Sequence, residues 1–330
     1  MKLQHLCRLT IFPLLLSAIL LSACVPLEQV QAPSEGPQLA TATVSAQLSN
    51  QPGRAIVSAR GNHFIVDSIP PLAGPNEELN PMDMMLGALG TCGLFVAERA
   101  AQELEIPLGS VLATVEGDLD PSGVAGSGTD PRIQAVRVHL DLGDANSEQM
   151  NQLVEHFTGR CPIYTTLSRS SDIEITVGDQ APTAAAEGLA TARITAQLSN
   201  QPGRAIVSAR GNHFVIDSVP PLQGPNEERN PLDLMLGSLA TCGSFIFEHV
   251  AQEMDIPLAN LTTIVEADFD PRGVAGQPVD PRIQALRVKI EAEGIDDAQA
   301  TMMSEQFQLR CPIYTTLTRA APIEITVVSS

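Results

Sequence analysis

Cys92 lies near the end of NPMDMMLGALGTCGLF, residues 80–95, and Cys242 near the end of its close copy NPLDLMLGSLATCGSF, residues 230–245. Each thiol stands on the third turn of an apolar run that reads as a buried helix. A second cysteine follows far downstream in the identical segments RCPIYTTL, as Cys161 and as Cys311. Thiols react as thiolates, so a working site has to lower a pKa near 8.5 with positive charge or a helix terminus. Arginines adjoin both elements: Arg54 and Arg204 in PGR, Arg60 and Arg210 in SARGNH, and Arg160 and Arg310 directly before the second cysteine. Apart from Lys289, every cation beyond the first eight residues is arginine, which stays charged beside a thiol at any relevant pH. No cluster of Cys and His has zinc-ligand spacing, so neither a metal nor another cofactor is expected. The glycines of GALGTCG recur at every third position but lack the lysine of a phosphate loop, and close helix packing is their expected use. His63 and His213, in GNH, read as turn residues.

The elements that carry these residues occur twice. AQLSNQPGRAIVSARGNHF at 46–64 recurs letter for letter at 196–214, and RCPIYTTL at 160–167 recurs at 310–317, both at an offset of 150. A constant offset pairs Cys92 with Cys242 and Cys161 with Cys311. Within a copy, TATVSAQL, RAIVSA and HFIVDS alternate like strands. A long helix follows from about Pro81 to Leu104, with proline in its first turn. Next come the strand-like SVLATVEGDLD and IQAVRVHLDL, the amphipathic SEQMNQLVEHF, a short helix opening at CPIYTTLS, and a closing strand DIEITV. The class is α+β with a long central helix.

Outside the copies the chain reads differently. Residues 1–23 combine a cationic start, an apolar run from Leu9 to Leu21 and small residues before Cys24, which is a secretion signal too short for a confident membrane span. LSAC resembles a bacterial lipobox, which makes Cys24 a lipidation site and puts the protein in the bacterial cell envelope, extracytoplasmic and membrane-anchored. Residues 24–38 read as a flexible tether and 178–189, GDQAPTAAAEGL, as a linker able to span up to about 40 Å when extended. The domains are then 39–177 and 190–328. Of 19 basic residues Lys2 and Arg8 leave with the signal, so 17 face 38 acidic ones, a net of −21. Nucleic acid is an unfavourable partner for such a chain.

The order of elements and the two cysteine contexts resemble the superfamily of osmotically inducible protein C and organic hydroperoxide resistance proteins (OsmC/Ohr). The resemblance rests on HFIVDSIPPLAGPNEELNPMDMMLGALGTC with RCPIYTTL, and on the counterparts HFVIDSVPPLQGPNEERNPLDLMLGSLATC with RCPIYTTL. It implies an antiparallel sheet with a long central helix in each domain, and two domains clasped into an intramolecular pseudo-dimer. It implies that Cys92 and Cys242 are peroxidatic and Cys161 and Cys311 resolving. The catalytic arginine of the family, carried by the amino-terminal strands, corresponds best to Arg54 and Arg204, with Arg60 and Arg210 as alternatives. The resemblance also implies organic or lipid hydroperoxides as substrates and a dithiol reductant, which no residue names. One departure stands out: where many family members carry a glutamate ten residues before the first cysteine, this chain has Met82 and Leu232. Asp83 and Asp233 follow one place later, about half a turn away from the cysteine on a straight helix, and read first as acids that stabilise the helix start. Two other functions fit the same thiols: a non-catalytic lipoprotein stapled by two permanent disulfides, and a general thiol oxidoreductase.

Overall fold

A computed structural model describes Gly36 and residues 38–330, so the signal peptide, Cys24 and most of the tether lie outside the described residues. The first copy runs β1 (Ala40–Leu48), β2 (Arg54–Ala59), β3 (Asn62–Asp67), α1 (Pro81–Glu103), β4 (Leu112–Leu119), α2 (Pro121–Val124), β5 (Ala135–Asp141), α3 (Ser147–Arg160), α4 (Pro162–Leu167) and β6 (Asp172–Val177). The second repeats it as β7 (Ala190–Leu198), β8 (Arg204–Ala209), β9 (Asn212–Asp217), α5 (Pro231–Glu253), β10 (Asn260–Phe269), α6 (Pro271–Val274), β11 (Ile283–Glu293), α7 (Asp297–Arg310), α8 (Pro312–Leu317) and β12 (Ile323–Ser329).

The strands do not stay with their own copy. One six-stranded sheet has the order β12-β11-β10-β1-β2-β3 and the other β6-β5-β4-β7-β8-β9, so each contains three strands from each copy. The seams are antiparallel ladders, with Val44 opposite Val265 on β1 and β10 and Ile194 opposite Val115 on β7 and β4. These seam residues are buried on the helix side. Residues 38–330 form one compact unit, an intramolecular pseudo-dimer. The sheets depart from a purely antiparallel arrangement at one edge: β5 with β6, and β11 with β12, run parallel. The reason is the connection, because a strand that returns after two helices comes back in the direction in which its partner set out.

Helices α1 and α5 pack against each other and each lies on one sheet, α1 on β4 and β7, α5 on β1 and β10. Both are long and apolar enough to cross a membrane, but 89% of each apolar window is buried within the protein, which makes them core helices. Their glycines serve contact. A Cβ on Gly237 would lie 2.6 Å from the Met84 side chain of the other helix, and one on Gly93 would lie 2.9 Å from the Phe157 ring on α3. The phosphate-loop spacing of these glycines is thus a packing pattern. Each helix starts with a complete capping box, in which Asp83 Oδ2 accepts from Asn80 N–H at 3.0 Å and Asn80 Oδ1 accepts from Asp83 N–H at 2.9 Å, with Asn230 and Asp233 alike in α5.

Candidate active site

Each central helix delivers its cysteine to a partner at the start of a short helix. Cys92 is disulfide-bonded to Cys161 and Cys242 to Cys311, with Cα separations of 6.1 and 6.0 Å. Cys161 and Cys311 occupy the N-cap positions of α4 and α8, where each sulfur accepts a backbone N–H, from Tyr164 and Tyr314, at 3.3 Å. Proline at the next position suits a helix start, since its missing N–H would have no intrahelical partner there. Phe157 packs on Gly93 and, with ring centroids 5.1 Å apart, on Tyr164, so the residue after Cys92 helps to set the helix bearing Cys161.

Within each pair the cysteines differ. Cys161 and Cys311 are fully buried, whereas Cys92 and Cys242 retain 4% and 5% exposure and each lines a cavity. The walls of these cavities come from both copies. Cys242, Phe245, Ile246 and Pro312 of the second copy face Leu72, Asn80, Met82, Asp83 and Val124 of the first. Cys92, Phe95, Pro162 and Ile163 face Leu222, Asn230, Leu232, Phe269 and Val274 of the second. Met82 and Leu232 therefore line the cavity of the opposite copy's cysteine.

Arginines fall into two roles. Arg210 lines the Cys242 cavity and reaches across to the first copy. Its Nε and Nη2 donate to Asp83 Oδ2 at 2.9 and 2.8 Å, its Nη1 donates to Asn76 Oδ1 at 2.7 Å, and its Nη2 donates to Glu78 O. Arg60 makes the corresponding set with Asp233, Asn226 and Glu228 O. Asp83 and Asp233 thus cap their helix and pair with the arginine of the other copy. Arg60 and Arg210 have φ of 48° and 49° and precede Gly61 and Gly211 at φ 84° and 89°, a tight two-residue hairpin turn in which arginine is a strained choice. The strain is offset by four donors committed to the opposite copy.

Arg54 and Arg204 work within their own copy. Arg54 donates to the buried Asp67 at 2.7 and 2.9 Å and to Glu77 at 2.9 Å, and Arg204 does the same with Asp217 and Glu227. Burial pushes the Asp67 carboxyl up, but Arg54 and the N–H groups of Glu78 and Glu77 together outweigh it and hold the group below the ordinary carboxylate range; Asp217 behaves likewise. This pair pins segments 76–80 and 226–230, onto which Arg210 and Arg60 then clamp. Arg160 and Arg310 bind Glu103 and Glu253 at 2.7 Å, and Arg310 Nε also donates to Val124 O of the first copy at 3.1 Å. His63 and His213 lie on β3 and β9, where each ring bonds the serine opposite, Ser58 or Ser208. Residues that the sequence reading passed over are the cavity walls Leu72, Leu222, Leu119, Phe269, Val124 and Val274. Their only signal is their place in PPL, DLD, DFD and GVAG at the ends of elements.

The family model for OsmC-like protein matches residues 74–176 and 224–326, more than half of the chain. Among solved structures, the chain is similar to an OsmC-like protein from Mycoplasma pneumoniae at 18% identity, with 41% of this chain and 94% of that one covered and a TM-score of 0.35. It is similar to an organic hydroperoxide resistance protein from Legionella pneumophila at 17% identity, 41% and 93% coverage and a TM-score of 0.33. It is similar also to an organic hydroperoxide resistance protein from Elizabethkingia anophelis at 19% identity, 42% and 94% coverage and a TM-score of 0.34. None of the curated proteins matches it. Two matched segments, each holding one cysteine pair within one interlocked fold, place the chain in the OsmC-like protein family with two copies of the family domain in a single polypeptide.

Proposed function

We propose that the protein is a thiol-dependent peroxidase that reduces organic hydroperoxides, lipid hydroperoxides among them, at two sites. The observation that carries this reading is the inequality within each cysteine pair: one cysteine lines a largely apolar cavity and the other, bonded to it, is fully buried. The Cys92 or Cys242 thiolate attacks the terminal oxygen of ROOH, the O–O bond breaks, and the departing alkoxide takes a proton to leave as ROH. The sulfur becomes a sulfenic acid. The thiol of Cys161 or Cys311 then displaces hydroxide, which leaves as water, and the disulfide forms. An external dithiol returns both thiols to the reduced state and is itself oxidised to a disulfide. Apolar walls of Leu72, Met82, Phe245 and Ile246 favour a hydrocarbon R group over hydrogen peroxide.

Cys92→Ser should remove about half of the peroxide consumed in the first turnover, and Cys92→Ser with Cys242→Ser all of it. Cys161→Ser with Cys311→Ser should leave one fast turnover and trap sulfenic acid, read by mass spectrometry after cumene hydroperoxide. The competing reading, two permanent staples, draws on the full burial of Cys161 and Cys311 and on Met82 and Leu232 in place of the expected glutamate. Disulfides that excess dithiothreitol leaves closed in the folded protein would favour it. Turnover of a disulfide substrate faster than cumene hydroperoxide would favour the general oxidoreductase.

The same reading sets the protein on the outer side of a bacterial membrane, held by lipid on Cys24. The support is the sequence before Cys24, where acyl chains at about 0.8 kcal/mol per buried methylene supply the anchor. Cys24→Ala should move the protein from the membrane to the soluble fraction with its peroxidase activity intact; retention on the membrane would count against the anchor.

A further inference from the structure

The two cavities are not the same size. The one at Cys242 encloses about 460 Å³ and the one at Cys92 about 220 Å³. All the wall residues of the Cys92 cavity except Ile163 and Pro221 have a counterpart at the offset of 150 in the wall of the Cys242 cavity, so the cause is traceable. Two differences make the smaller cavity's own side chains smaller or shorter: Val219 for Ile69 and Leu232 for Met82. These would enlarge it. Among the wall residues, one difference adds bulk at Cys92: Phe269 stands where the Cys242 cavity has Leu119.

The register shows where the two positions sit in the sheets. Phe269 is the last residue of β10 and sits opposite Ala40 across the seam with β1, as Leu119 sits opposite Ala190 across the seam with β7. In the larger cavity the strand beyond that seam is part of the wall, through Ala190, Thr191, Ala192 and Arg193. In the smaller one no residue of β1 takes part. A phenyl ring in place of leucine adds bulk beside that seam, and the cavity that carries it has no wall from the neighbouring strand. The Cys92 cavity falls below the roughly 300–1,000 Å³ of ordinary small-molecule sites, whereas the Cys242 cavity lies within that range. The open end also changes character, because Arg193 and Arg210 border the larger cavity while the smaller is walled almost wholly by apolar groups.

From this we infer that the two sites divide their substrates by size, Cys242 accepting long-chain hydroperoxides and Cys92 only compact ones, with the Leu119/Phe269 position as the specificity determinant. The substrate class rests on the peroxidase reading; the difference in access to the two thiols does not. Cys92→Ser and Cys242→Ser each isolate one site, and first-turnover rates with linoleic acid hydroperoxide and tert-butyl hydroperoxide give a long-to-short ratio for each. The ratio should be at least about tenfold higher at Cys242 than at Cys92, the scale on which a pocket discriminates by bulk. Phe269→Leu in the Cys242→Ser background should raise the ratio at Cys92, and Leu119→Phe in the Cys92→Ser background should lower it at Cys242. The two exchanges are independent, so a folding failure in one leaves the other to decide. Equal ratios at both sites, or ratios unmoved by the exchanges, overturn the inference. A parallel measurement omits peroxide: the reduced single-site variants are alkylated with N-methylmaleimide and with N-pyrenylmaleimide, and each cysteine is followed by mass. Cys242 should tolerate the pyrene at least about tenfold better. If neither site consumes hydroperoxide yet the maleimides discriminate, the peroxidase reading falls and the size division stands; if the maleimides do not discriminate, the size division falls.

Discussion

At the scale of single residues the two arginine pairs separate by what they touch. Arg210 shares a cavity with Cys242, and Asp83 holds it in place across the copy boundary; the peroxidase reading gives its positive charge the task of stabilising a thiolate there. Arg210→Met in the reduced Cys92→Ser protein should therefore move the pH midpoint of Cys242 alkylation up toward the free-thiol value near 8.5 and slow the first turnover by about 10- to 100-fold. Iodoacetamide labelling across pH 5–10 reads the midpoint. Arg204→Met should leave that midpoint unchanged and lower stability instead, because the carboxylate of Asp217 is fully buried. The loss should be roughly 2 kcal/mol, below the 3–5 kcal/mol usual for a broken buried pair, since the N–H groups of Glu227 and Glu228 still hold Asp217. The sign in pH follows from the lowered carboxyl pKa of Asp217. Its contribution is in full force above the unfolded carboxylate pKa near 3.9 and disappears as pH falls through the lower folded value. Urea unfolding of wild type and Arg204→Met at pH 7 and pH 3 should show the gap between them narrowing in acid.

At the scale of elements, what matters is how a helix of one copy is fastened to a turn of the other. Glu98 on α1 accepts the N–H of Gly203 in the turn between β7 and β8 at 2.9 Å, and Glu248 on α5 accepts that of Gly53 at 2.8 Å. Burial raises both carboxyl pKa values, and the single N–H only partly counters it. An acid whose pKa is higher folded than unfolded costs stability as pH rises: the unfolded chain has released its proton near pH 4, while the folded one ionises later and against a desolvation penalty. Glu98→Gln with Glu248→Gln keeps an acceptor for each N–H and removes the charge. The double variant should melt higher than wild type at pH 7.5 and at nearly the same temperature at pH 4, by calorimetry. An equal shift at both pH values would show that the carboxylates are not the cause.

At the scale of the whole molecule, the exchange of strands decides what a half can do alone. A cut at residue 183 leaves the first half with β1–β3 and β4–β6 but without the seam partners of β1 and β4, which are β10 and β7. Each half would also expose the faces of α1 or α5 that pack on the other copy. Large apolar faces and two unpaired inner strands are not compatible with a soluble monomer. Separately expressed halves should aggregate or pair with themselves, and co-expressed halves should return as one complex, by size-exclusion chromatography with light scattering. A stable monomeric half would contradict the interlocked fold. Covalent linkage gives the pairing a high effective concentration, and it frees the two sites to differ, which a symmetric homodimer cannot do.

Much of this was legible in the chain. Repetition at a fixed offset of 150, the apolar run after Asn-Pro, the cysteine spacing of 69 and the Cys-Pro start of the short helix are local patterns, and local patterns report propensity and periodicity directly. They suffice for the α+β class and the central helices, whereas the pairing of Cys92 with Cys161 came from the resemblance to the OsmC/Ohr superfamily. What depended on tertiary structure was which copy each residue serves. Arg210 meets Asp83, Met82 faces Cys242, and β1 completes the sheet of β10, because burying both central helices needs a wall on every side and each copy supplies only half of one. A repeat carries no mark of whether its contacts lie within itself or in its twin, since identical letters satisfy both. Hence the position of PGR in sequence pointed to Arg54 and Arg204, while the hairpin turn that reaches the other copy puts Arg210 in the cavity. The unequal cavities belong to the same class: Leu119 and Phe269 differ plainly in the aligned copies, but only the seam beside them shows that the difference opens or closes a site.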